Sequence, residues 1–179
     1  MGKSGLTKAQ VFYSDFVVGT LIVVTAILIY YNYIGYITAQ NSGSLNDLIT
    51  DINTISSNMI TAGSPENWTS SNVQRVGLTN NKQRLSYNNI AEFENIAYNE
   101  SRKILSTRFD YVLYFERWDG TIIPIENKCA IGNPIVVTDN TTTCQRPNIT
   151  LANPKRSVKD IRLAIYDNEI LQMIIYLWE

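Results

Sequence analysis

Residues 4–36 read SGLTKAQVFYSDFVVGTLIVVTAILIYYNYIGY, and the fold turns on what they do. Two lysines, Lys3 and Lys8, precede a single acid, Asp15, and no further charged residue occurs before Asp47. The most apolar part, Phe16 to Tyr31, continues through Ile34 and Ile37. That is enough helix to cross a hydrocarbon layer of about 30 Å. A secretory signal has an apolar run of roughly 7–15 residues that ends in small residues at a cleavage site. Here the run ends in Tyr30, Tyr31 and Tyr33, whose rings suit a membrane–water interface, so removal after the run is not expected. The lysines orient the N-terminal end toward the cytoplasm and the bulk of the chain outside.

The remainder fits an external location. The only cysteines are Cys129 and Cys144. Two lone cysteines in an exported domain are expected to pair, the alternative being two buried free thiols. Four sequons, at Asn67, Asn99, Asn140 and Asn148, all follow the apolar run and favour a surface that can carry glycans. Charged residues make up 17% of the chain, below the usual roughly 25%. The net charge of −1 argues against a nucleic-acid partner, which calls for a clustered basic face.

Beyond the apolar run, Leu45, Leu48, Ile49, Ile52, Ile55 and Met59 recur at helical spacing and form one narrow stripe. Asn41-Ser42-Gly43-Ser44 either interrupts this helix or is tolerated within it. GSPENW ends the helix, and RVGLT, residues 75–79, predicts a short strand. A second helix is predicted over residues 87–105. Ser86 is its N-cap, Leu85 and Ile90 form a hydrophobic staple, and Ile90, Phe93, Ala97 and Ile104 share a face away from Asn99.

The period then changes to two. Phe109, Tyr111, Leu113 and Phe115 fall on one side, and Asp119-Gly120 predicts a type I′ hairpin. In the tail, Ile161, Leu163 and Ile165 alternate with polar residues, Asp167-Asn168 turns the chain, and Leu171, Met173, Ile175 and Leu177 alternate again. The expected fold is α+β: a long N-terminal helix, apolar and then amphipathic, packed on a C-terminal antiparallel sheet. The loop between Cys129 and Cys144, with its polar TDNTTT tip, is expected at the surface.

Enzyme chemistry and bound cofactors are not expected. Histidine is absent, which removes the commonest general base and metal ligand, and no phosphate loop, serine elbow or metal-ligand spacing occurs.

A basic leader, an apolar helix, an amphipathic continuation and a β-rich head together resemble type IV pilin-like proteins of the archaeal kind, which carry a class III signal peptide. The preferred site in such leaders is Lys or Arg, then Gly or Ala, then Gln, and Lys8-Ala9-Gln10 matches it. SPENW followed by RVGLT, and the final strand ending in WE, are similar to exported archaeal pilin-like proteins. The resemblance implies a leader over residues 1–9, cut by a prepilin peptidase on the cytoplasmic side, a membrane and filament-core helix over 10–40, and an extracellular head over 41–179. It implies a structural subunit, major or minor, that is held in the membrane and then polymerises with copies of itself through pilus assembly machinery into a surface filament.

Bacterial type IV pilins carry Glu at the fifth mature position. Here the acid is Asp15, sixth after cleavage before Gln10. It either pairs with a neighbouring subunit's N-terminal amine or faces the interface at the helix start. Cleavage after Gly5 is a second, less favoured site. Gly19, Thr20, Thr25 and Ala26 either permit close helix contacts or are ordinary small residues of a membrane helix. The competing reading is an anchored ectodomain that does not assemble and binds a surface ligand.

Overall fold

The computed structural model describes residues 5–80, 84–124, 128–137 and 144–179. The chain is α+β and divides into two compact units, Met1–Ser44 and Leu45–Glu179. Helix α1 (Gly5–Met59) is assigned through Asn41–Ser44, so the glycine and its polar neighbours are tolerated within it. The first unit is helix alone among the described residues.

The second unit is built on a sheet of β1 (Asp110–Glu116), β2 (Ile122–Ile123), β3 (Ile131–Gly132), β4 (Ser157–Tyr166) and β5 (Glu169–Trp178). The order is β2-β1-β5-β4, every pairing is antiparallel, and β3 joins β1 on the same edge as β2. One face of the sheet meets the stripe of α1. Leu48, Ile52, Ile55 and Met59 are buried in one core with Phe109, Tyr111, Leu113, Phe115, Leu171, Met173, Ile175 and Leu177. Leu45 and Ile49 sit at the rim of the stripe and stay exposed. The register brings Tyr111 opposite Leu177, Leu113 opposite Ile175 and Phe115 opposite Met173, so alternate residues of the two central strands fill this core together.

The opposite face is covered too. Val112, Tyr114, Ile174 and Trp178 lie in a second core with Cys129, Ala130 and Val136. The first part of the loop between Cys129 and Cys144 therefore roofs the sheet, a correction to the surface position expected for that loop. The TDNTTT tip, with Asn140, lies outside the described residues. Cys129 and Cys144 are joined in a disulfide. Past it, the exposed Arg146 pairs with the carboxylate of the buried Glu116, pinning the returning segment to the sheet. Closing a loop of 15 residues restricts the unfolded chain by about 3 kcal/mol. Reduction is expected to lower the stability of the head by that amount, measured as the shift in denaturant midpoint with and without reductant at unchanged slope.

Four further sequence expectations are corrected. RVGLT is not a strand. It makes single bridges, Arg75 with Ser64 and Thr79 with Leu85. The buried Trp68 occupies the turn between and donates its indole N–H to the carbonyls of Ala62 and Gly77. Gly77 lies so close to the returning chain that a Cβ there would meet Gly63 N at 2.1 Å. Scattered backbone bonds, such as Leu78 N to Met59 O and Thr79 N to Thr61 O, hold this knot, and side chains take further carbonyls, Asn89 Nδ2 on Gly77 O and Thr79 Oγ1 on Ile60 O among them, so no regular ladder forms.

The second helix is two helices, α2 (Tyr87–Glu94) and α3 (Tyr98–Ile104). Ser86 caps α2 by accepting from Asn89 N, as expected. Asn95 then ends the helix, and Ala97, expected on the buried face, is exposed. The break carries Tyr98 onto Tyr111, with ring centroids 5.5 Å apart, and the Tyr98 hydroxyl onto the Asp110 carboxylate at 2.6 Å. Tyr111 donates to or accepts from Ser101 Oγ at 2.6 Å, and burial pushes its hydroxyl pKa up to about 12, so it stays protonated.

The turn at Asp119-Gly120 is not the type I′ expected, whereas Asp167-Asn168 turns the chain as expected. At Asp119-Gly120 only Gly120 has positive φ, +87°, and Arg117 N bonds Thr121 O across a three-residue loop. Asp167 and Asn168, at φ 44° and 66°, form the two-residue turn with both central residues left-handed.

The last correction concerns β4. Ile161 and Leu163 do not enter the main core; they are 43% and 55% exposed. The face turned to α1 carries Val158, Asp160, Arg162 and Ala164. Asn53 and Ser56 on the flank of α1 explain the inversion, since Arg162 Nε reaches Ser56 Oγ at 3.1 Å and Asp160 at 2.8 Å. Alternation established the period of the strand but not its inward face, which polar partners on the helix decided.

Candidate functional site

The feature that calls for a partner is the apolar segment of α1. Asp15–Ile34 has a mean hydropathy of 1.9 and none of it is buried. It is one helix long and apolar enough to cross a membrane. Phe16 is 73% exposed, Leu21 61% and Ile29 65%, and the neighbouring valines and isoleucines are exposed all round the helix. A soluble surface helix keeps its apolar residues on one side, whereas one apolar all round must be buried, in lipid or among other helices.

Three of its polar side chains bond back onto the helix itself. Thr20 Oγ1 donates to Phe16 O at 2.9 Å, Thr25 Oγ1 to Leu21 O at 2.7 Å, and Asn32 Nδ2 to Leu28 O at 2.8 Å. Each is a bond to the carbonyl four residues back, so the threonine hydroxyls enter an apolar medium with their donors already used and Asn32 with one of its two. The sequence reading counted the threonines as small residues and missed this; their placement within a helical run was the available signal. A Cβ at Gly19 would meet nothing within 4 Å, which leaves the helix surface there open to a close neighbour.

Asp15 is exposed at the start of this segment. Lys8, Ala9 and Gln10 lie within the helical assignment one to two turns before it. Asn67, Asn99 and Asn148 are exposed, as glycan attachment requires. Asn148 also caps the 3-10 turn Ile149–Ala152, its Oδ1 accepting from Thr150 N and Oγ1, so this sequon is held in a set conformation.

Among the described residues, no group of three or more His, Cys, Asp or Glu side chains could hold a metal ion. The cleft of about 370 Å³ beside α3 is lined by Glu94, Asn95, Tyr98, Ser101 and Lys128 without a nucleophile–base pair. In comparisons with known proteins, no family model, no curated protein and no solved structure matches the chain.

Proposed function

We propose that the chain is a structural subunit, a pilin, of a type IV pilus-like surface filament of the archaeal kind. Its N-terminal helix holds it in the membrane before assembly and lies in the filament core afterwards, with the head outside. One observation carries the reading: an uncovered helical segment, apolar on every side, with its threonine hydroxyls bonded to its own backbone, follows Lys8-Ala9-Gln10 within two turns. A segment of this kind, with its remaining polar groups near its two ends, can pass from lipid to a bundle of its own copies while staying buried along its apolar middle. The head supports the reading by containing its own two cores within Leu45–Glu179. Partners on this reading are copies of the chain or related pilins, a prepilin peptidase, the assembly machinery and the membrane.

Leader processing is the chemical step to test. The mature chain is expected to begin at Gln10, read by mass spectrometry of its N-terminal peptide. A chain that retains Met1 or Gly2, or begins beyond Tyr31, contradicts the reading and leaves a simple anchor or a removed signal.

A further inference from the structure

The break that separates α2 from α3 leaves a cleft of about 370 Å³ against β3. That volume lies near the lower end of the range for small-molecule sites, roughly 300–1,000 Å³. The floor of the cleft is fixed. Ser101 and Tyr111 are buried there with their hydroxyls bonded to each other at 2.6 Å, and Ser101 Oγ also donates to Tyr98 O at 2.8 Å. Ile131 and Val137 add aliphatic surface. Tyr98, held through its hydroxyl on Asp110, adds a half-buried aromatic ring.

The polar lining says what the cleft accepts. Among the described residues, neither the Asn95 amide nor the Lys128 ammonium at its wall has a protein partner. Asn95 donates and accepts, whereas Lys128 only donates. Glu94 sets a carboxylate in the same lining. Opposite charges in one small site disfavour an ion of either sign, because an anion meets Glu94 and a cation meets Lys128. A ligand rich in hydroxyls escapes both penalties, since each hydroxyl donates and accepts and so suits Lys128, Asn95 and Glu94 alike. Its carbon skeleton must still cover Ile131, Val137 and Tyr98. A sugar ring joins the two properties, with hydroxyls round its rim and C–H groups on its faces.

We propose that the cleft between α2, α3 and β3 binds a neutral sugar ring. Asn95 and Lys128 bond its hydroxyls, and Ile131, Val137 and Tyr98 take its C–H face. The site stands apart from the filament reading. All of its residues lie within Leu45–Glu179, and neither leader cleavage nor polymerisation is needed to form it.

The full-length chain in lipid nanodiscs supplies the test, read by saturation-transfer difference NMR. The probes are glucose, galactose, mannose and N-acetylglucosamine, with glucuronate and glucosamine as charged counterparts. At least one neutral sugar is expected to show transfer to its ring protons, and more of it than either charged counterpart. This comparison needs no variant. Asn95→Ala and Lys128→Ala are each expected to weaken binding of that sugar roughly tenfold, the loss that goes with one hydrogen bond to an amide or charged group. Asn95 is exposed and Lys128 has no ion pair to lose, so both variants are expected to melt with the parent, which thermal unfolding checks. Trp118→Ala removes an exposed ring elsewhere on the head, where a sugar would adhere without a built site, and is expected to change nothing. The proposal is overturned by no transfer to any neutral sugar, by stronger transfer to a charged counterpart, by binding indifferent to either cleft variant, or by binding lost in Trp118→Ala.

Discussion

Replacing Ile52 by Asp is expected to unfold the Leu45–Glu179 unit. Ile52 is 2% exposed, at the centre of the α1 stripe that shares its core with Leu113, Met173 and Ile175. Truncating such a side chain alone costs about 2–5 kcal/mol. A carboxylate in its place either stays charged and unpaired or takes up a proton, and both add several kcal/mol more. The sum reaches the whole stability of a domain this size, about 5–15 kcal/mol. Ile49→Asp is the internal control. Ile49 is 41% exposed on the rim of the same helix, and the change there is expected to stay near 0.5 kcal/mol. Thermal melting of the two variants beside the parent measures both. Equal melting of Ile52→Asp and the parent would place the stripe elsewhere than against the sheet.

The second large effect is on assembly. Phe16, Leu21, Ile22, Leu28 and Ile29 are among the exposed side chains of the apolar segment, and each contributes about 1.5–3 kcal/mol when fully buried. Over the whole segment the driving force for burial is on the order of tens of kcal/mol, far larger than any contact available to the head surface. A chain beginning at Ser44 is therefore expected to give a soluble, folded head that forms no filaments. The expectation rests on both hydrophobic cores lying within Leu45–Glu179. Near-ultraviolet circular dichroism reads the fold and electron microscopy reads assembly. Native-like filaments from the truncated chain would remove the helix from the core and with it the mechanism.

Much of this fold is legible in the residues, for identifiable reasons. The α1 stripe, the Ser86 cap, the Asp167-Asn168 turn and the inward face of β5 each depend on local spacing or on one residue's chemistry, and the structure shows them. The errors share another cause. Which face of β4 turns inward depends on Asn53 and Ser56, a hundred residues away in the chain, and no periodicity carries that information. The break at Asn95 depends on Tyr98 finding Tyr111 and Asp110. RVGLT has a strand's composition, but Trp68 and Asn89 take the carbonyl of Gly77 that a ladder would have used. For the site, the apolar run was plain from composition. The internal hydrogen bonds of Thr20, Thr25 and Asn32 appeared only with the helix built.

The central claim is that this helix, exposed in the single chain, forms the core of a polymer. Electron cryomicroscopy of filaments sheared from cells, with mass spectrometry of the same preparation, tests it most directly. The account predicts filaments that contain this chain beginning at Gln10, with density for a bundle of Phe16–Ile34 helices at the axis and Leu45–Glu179 heads outside. Finding the chain intact from Met1 and confined to the membrane fraction, with filaments built of other proteins, would contradict it.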